Sequence, residues 1–94
     1  MARVPGLVGF AGKPLPLVGT SIVLGRGDDV DLRTPDVSVA RRQARIDIVD
    51  DKVYLTAVSE GVATFVNDRR IKTVQLNAGD RITFGSTMFT YQEG

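Results

Sequence analysis

The 94-residue sequence contains no cysteine, no histidine and no tryptophan. Without cysteine there is no disulfide framework and no thiolate metal site. Without histidine the chain lacks the commonest general base, the commonest metal ligand and the usual partner of a serine or cysteine nucleophile. No catalytic residue, metal or cofactor is therefore expected, and the chain reads as a non-enzyme. Long apolar runs are missing too. None approaches the roughly eighteen residues that cross a membrane. The apolar N-terminus MARVPGLVGFAGKPLPLVG is broken by Gly, Lys and Pro, where a signal peptide needs a continuous apolar core. No membrane insertion is expected, and the lack of cysteine suits the cytoplasm. Neither sign of charge dominates, with 12 basic and 11 acidic residues. Residues 1–47 carry seven basic and five acidic groups, and residues 48–94 carry five and six. Nucleic-acid binders normally show a basic excess, so no nucleic-acid partner is expected.

What is present is 43% hydrophobic and 24% charged, the composition of an ordinary globular domain. The length fits one domain over residues 1–94. Gly and Pro divide the chain into pieces of four to eight residues rich in Val, Ile, Thr, Phe and Tyr, the pattern of many short strands in a sandwich or barrel. Strands are expected over Val4–Phe10, Leu15–Val18, Ser21–Leu24, Val30–Leu32, Gln43–Val49, Val53–Val58, Ala63–Val66, Thr73–Leu76, Arg81–Phe84 and Thr87–Tyr91, about ten or eleven in all. In Gln43–Val49 the residues Ala44, Ile46 and Ile48 share one face, with Arg45 and Asp47 on the other. Asp50-Asp51-Lys52 and Asn67-Asp68 read as hairpin turns. Tyr54, Phe84, Phe89 and Tyr91 read as core or half-core aromatics.

One segment competes with this pattern. Asp36 could cap a helix running to Asp50, with Val37, Ala40, Ala44 and Ile48 on one face. Arg41, Arg42 and Arg45 would then line the other face like a nucleic-acid recognition helix. The second half of the segment is β-branched and alternates with period two, which favours the strand.

The candidate binding residues sit near glycines and arginines. Gly25-Arg26-Gly27 ends a strand, where backbone could approach an anion, but no nucleotide-binding glycine spacing is present. Asp28, Asp29 and Asp31 lack EF-hand spacing and its distal Glu, and read as loop acids near arginines. Taken in order, Leu24-Gly25-Arg26, Asp31-Leu32, Arg41-x-Gln43-Ala44-x-Ile46, Thr64-Phe65-Val66-Asn67, Ile71 and Leu76-x-x-Gly79-Asp80-x-Ile82-x-Phe84-Gly85 resemble the forkhead-associated (FHA) domain over nearly the whole chain. The resemblance implies an all-β sandwich of two sheets that binds phosphothreonine peptides with the loops at one end.

The departures fall in the implied site. The family's phosphate-binding Ser is Ala40 here, its bracing His is Gln43, and its Asn-Gly is Val62-Ala63. Arg26 matches the arginine that usually meets the phosphate, and Arg41 is retained beside Ala40. A hydrogen bond to a charged group contributes about 1.5–3 kcal/mol. Loss of the Ser and Asn contacts then costs roughly 3–6 kcal/mol, or about 100- to 10,000-fold in affinity. An amide both donates and accepts, so Gln43 can supply some of the bracing.

The expected function is a non-catalytic protein–protein interaction module, phosphate-independent or weakly phosphate-dependent, and part of a larger protein or complex. Its expected binding residues are Arg26, Ser38, Arg41 and Arg42, with Ser59 and Asn67 behind them. The first alternative is a phosphothreonine reader in which Ser38, with Arg26 and Arg41, replaces the missing hydroxyl. The second is a nucleic-acid binder using Arg41, Arg42 and Arg45. Arg45 otherwise reads as a solvated strand face or a partner for an acid, and Arg69, Arg70 and Lys72 as an exposed, soluble hairpin.

Overall fold

The computed structural model describes residues 5–9 and 14–93, with only the backbone given for Pro14 and Leu15. The expected strand ends Val4 and Phe10 lie outside the described residues. The rest folds as two stacked β-sheets. No helix forms among the described residues, so Asp36–Asp50 is turn followed by strand and the basic recognition helix is not built.

Eleven strands run in chain order: β1 (Gly6–Val8), β2 (Pro14–Pro16), β3 (Ser21–Gly25), β4 (Leu32–Arg33), β5 (Ala44–Val49), β6 (Lys52–Ala57), β7 (Thr64–Val66), β8 (Arg69–Arg70), β9 (Thr73–Gln75), β10 (Arg81–Phe84) and β11 (Thr87–Gln92). One sheet has the order β2-β1-β11-β10-β7-β8, and the other β4-β3-β5-β6-β9. Pairing is antiparallel except between β3 and β4, where Leu24 faces Leu32. The strand read over Val30–Leu32 is found at Leu32–Arg33. The pair Arg69–Arg70, read as an exposed hairpin after the Asn67-Asp68 turn, forms a short edge strand against Phe65 and Val66.

Alternation along the strands builds the core, because successive side chains point to opposite faces. The cross-strand row Ile22, Ile46, Leu55 and Val74 faces inward and meets Leu7, Ile82, Phe84, Phe89 and Tyr91 of the other sheet. The neighbouring row Val23, Arg45 and Thr56 lies on the outer face. There Arg45 pairs with Asp47, two residues along its own strand, at 2.9 Å. Tyr54 is half-buried.

Two-residue turns set the register. Asn67 and Asp68 both adopt positive φ, 51° and 68°, the backbone of a type I′ hairpin, which Asn and Asp tolerate better than most residues. Gly85, at φ 58°, turns β10 into β11. The chain therefore presents loops 26–31, 34–43 and 58–63 together with the Gly85-Ser86 turn at one end. The Asn67-Asp68 and 77–80 turns lie at the other.

Candidate functional site

The loop end is assembled around β3. Arg26 N–H donates to the Ala40 carbonyl and Gly27 N–H to the Arg41 carbonyl, each at 3.0 Å. Loop 26–27 is thus zipped onto loop 40–41. The close approach leaves no room for a side chain at Gly25, whose Cβ would fall on the Arg41 carbonyl. Arg26 is half-buried, and its Nε donates to the Val39 carbonyl at 3.1 Å. Arg41 is exposed. Neither Arg26 nor Arg41 has a carboxylate partner within 4.0 Å among the described residues.

Arg42 differs from its neighbour. Its Nε donates to Asp29 Oδ2 at 3.0 Å, and its terminal nitrogen pairs with the same oxygen. The guanidinium holds the Asp29 carboxyl below the usual carboxylate range, and the pair ties loop 26–31 to loop 40–42. Arg33 and Asp28 form a looser pair at 3.5 Å. Asp28 and Asp29 thus meet arginines, as expected from the sequence, whereas Asp31 Oδ2 accepts from the Val23 N–H at 2.8 Å.

Gln43 is fully buried and braces both halves of the surface. Its Oε1 accepts from Ala40 N–H at 3.0 Å. Its Nε2 donates to the Val62 carbonyl at 2.8 Å and to Thr64 Oγ1 at 3.1 Å. Its own carbonyl accepts from the N–H groups of Val58 and Ser59. Ser59 Oγ in turn accepts from Val62 N–H at 3.1 Å, so Ser59 shapes loop 58–63.

Ser38 is committed within its loop. Its Oγ donates to Asp36 Oδ1 at 2.7 Å and accepts from Ser86 N–H at 2.8 Å. Asp36 Oδ2 accepts from the Thr87 hydroxyl at 2.7 Å, and Thr87 Oγ1 lies 3.5 Å from Thr34 Oγ1. These donors hold the Asp36 carboxyl below its usual range, the Ser38 hydroxyl first and the Thr87 hydroxyl next. The network pins loop 34–40 to the β10–β11 turn and leaves Val37, 86% exposed, at its tip. The Asp36-x-Ser38 spacing is a local signal for such a turn. The roles of Ser86 and Thr87, about fifty residues away, leave no local trace.

Asn67 is not brought to this end. Thr64 begins β7 beside Gln43, while Asn67 follows the strand's last residue. There Asn67 Nδ2 donates to Asp80 Oδ1 at 2.9 Å, and its Oδ1 accepts from Arg81 N–H at 3.0 Å. It locks the far turns together. Of the six expected binding residues, Arg26, Ser38, Arg41, Arg42 and Ser59 stand on loops of one end, and Asn67 stands at the opposite end.

A family model described as the FHA domain matches residues 22–85. Similar solved structures include one from a structural and functional analysis of phosphothreonine-dependent FHA domain interactions, 28% identical over 96% of both chains with a TM-score of 0.88. Another is the FhaA FHA domain complexed with the intracellular domain of a second protein, 28% identical over 94% of this chain and 99% of that one, with a TM-score of 0.88. A third is EmbR of Mycobacterium tuberculosis with a low-affinity phosphopeptide, 29% identical over 97% of this chain but 24% of that one, with a TM-score of 0.90. No curated protein matches the sequence.

Proposed function

The chain belongs to the FHA-domain family, a family of non-catalytic interaction modules, and from that footing we propose that it docks a protein partner through its loop end with little or no dependence on phosphate. The observation that carries this reading is the absence of a free hydroxyl where the family grips phosphate. Position 40 is alanine, and the one nearby serine of the same loop, Ser38, gives its proton to Asp36 and its lone pair to Ser86 N–H. Freeing Ser38 would cost the bonds that hold its loop.

Arg26 and Arg41 keep positive charge at this end with no carboxylate within 4.0 Å among the described residues, which favours an acidic partner surface. Arg42 is already neutralised by Asp29 and contributes mainly to loop shape, as Ser59 does. Asn67 acts at a distance as a turn residue. The same reading makes the domain a cytoplasmic part of a larger protein or complex, in keeping with a cysteine-free chain.

Calorimetric titration with a phosphothreonine peptide library and its unphosphorylated twin tests the proposal. The expected result is less than about tenfold preference for the phosphorylated set, a difference of about 1.4 kcal/mol. Micromolar binding confined to the phosphorylated peptides, abolished in Arg26→Ala, would overturn it in favour of a phosphothreonine reader that manages with arginines alone.

A further inference from the structure

A second binding feature lies beside the loop end, where the two sheets part at edge strands β8 and β9. A cleft of about 530 Å³ is lined there by Ser59, Glu60, Ala63, Arg70, Ile71 and Lys72, among others. Its walls are fixed by backbone bonds that close this flank of the sandwich: Ile71 N–H to the Thr64 carbonyl at 3.0 Å, and Ala57 N–H to the Lys72 carbonyl at 2.7 Å. Small side chains at Ala57 and Ala63 leave it open, and Ile71 is half-buried within it.

The charge of the lining is unbalanced. Arg33, Arg42, Arg45 and Arg81 each have a carboxylate partner. Arg70 and Lys72 have none within 4.0 Å among the described residues, although Glu60 stands on the same lining. The Ser59 hydroxyl accepts from Val62 N–H and donates to no group among the described residues, so its proton is available to an incoming oxygen. Two unpaired cations and a free hydroxyl donor over a partly apolar floor suit a carboxylate-bearing segment.

Gln43 connects the cleft to the arginine pair. It holds Ala40 on one side and Val62 on the other, and its carbonyl receives Ser59 N–H. A chain leaving Arg26 and Arg41 across Ala40 and Val62 arrives at Ser59 and the cleft. We propose that this cleft is an accessory subsite for an acidic stretch of the partner, recognised by Arg70, Lys72 and the Ser59 hydroxyl. This rests on the loop-end docking proposed above and adds the partner's charge at a second position.

The probes are a capped hexaglutamate peptide and its hexaglutamine counterpart, titrated at low salt into the ¹⁵N-labelled domain and followed amide by amide. Hexaglutamate is expected to shift Ser59, Glu60, Ala63, Ile71 and Lys72, and hexaglutamine to leave them in place. Exposed ion pairs are each worth about 0.2–1 kcal/mol, so the double variant Arg70→Ala with Lys72→Ala is expected to weaken hexaglutamate binding at the cleft by roughly 2- to 30-fold. Both side chains are exposed, and the dispersion of the same spectra verifies that the variant is folded. Equal shifts with both peptides, unshifted cleft amides, or unchanged affinity in the folded variant would overturn the subsite. Shifts confined to residues 26–27 and 40–42 would overturn it while leaving loop-end docking intact. Shifts confined to the cleft would support the subsite and count against the loop end.

Discussion

Gln43 accepts the Ala40 N–H at 3.0 Å from inside the protein, with its side chain completely shielded from solvent. The bond links two of the positions at which this chain departs from the pattern of the family it resembles. On the reading proposed above, a methyl group stands where the family grips phosphate, and Gln43 beneath it braces the loop. Gln43→Ala removes that bond together with those to Val62 and Thr64. Unsatisfied buried partners cost about 1–3 kcal/mol each, partly relieved by water at the rim. The expected loss is about 2–4 kcal/mol of unfolding free energy, read from the urea midpoint at constant m-value. A loss below about 0.5 kcal/mol would show that the brace is dispensable.

Glycines on this surface differ in what they permit. A Cβ at Gly25 would strike the backbone carbonyl of Arg41, which is itself fixed by Gly27 N–H. Gly25→Ala must push two zipped loops apart, at a cost of about 1–3 kcal/mol. A Cβ at Gly61 meets nothing within 4 Å, and Gly61 is not among the positive-φ residues. Gly61→Ala is expected to be neutral or to stabilise by up to about 1 kcal/mol through the unfolded chain. Thermal melts of the two variants check the contrast, and equal melting temperatures would contradict it.

Asp36 makes the loop end sensitive to acid. Its folded-state pKa is lowered by the hydroxyls of Ser38 and Thr87 and by the Ser38 and Ser86 backbone. A depressed carboxylate contributes stability that is complete above the unfolded value of about 3.9 and is lost as pH falls through the lower folded value. Loop 34–40 should therefore stay pinned to the β10–β11 turn at neutral pH and loosen only in strong acid. The Ser38 and Ser86 amide shifts are expected to titrate together below about pH 4. In Asp36→Asn that common step should vanish. Its persistence would assign the titration to another group.

The strands with clear period-two alternation were legible in the sequence, because burial of one face imposes the pattern. Ala44, Ile46 and Ile48 against Arg45 and Asp47 gave β5, and Val53 and Leu55 gave β6. Edge strand β8 carries no burial signal of its own, since its two residues are both exposed arginines, and its pairing with β7 was legible only through the Asn67-Asp68 turn. At the site, Gln43 and the arginines on the loops could be read from motif order. The Asp36-x-Ser38 turn has a local signal, but the donor that fills the Ser38 lone pair, Ser86 N–H, is brought near only by the hairpin at Gly85. The place of Asn67 was hidden for the opposite reason. It belongs to a recognisable motif, but three residues of strand carry it from Thr64, at the loops, to the far turns.

Ala40→Ser asks whether one oxygen separates this domain from phosphate recognition. Ala40 is half-buried, its N–H is already held by Gln43, and its carbonyl by Arg26 N–H. The backbone at position 40 is therefore fixed, and a new hydroxyl would appear beside Arg26 and Arg41 without rearranging either. A hydrogen bond to a charged group contributes about 1.5–3 kcal/mol, so affinity for phosphothreonine peptides should rise by about 10- to 100-fold, with unphosphorylated peptides unaffected. The gain should disappear when Arg26→Ala is added, because hydroxyl and guanidinium would then hold the same phosphate. Calorimetry on the single and double variants measures both effects. An Ala40→Ser protein that still fails to distinguish phosphorylated from unphosphorylated peptides would mean that Val62-Ala63, in place of Asn-Gly, is the larger obstacle.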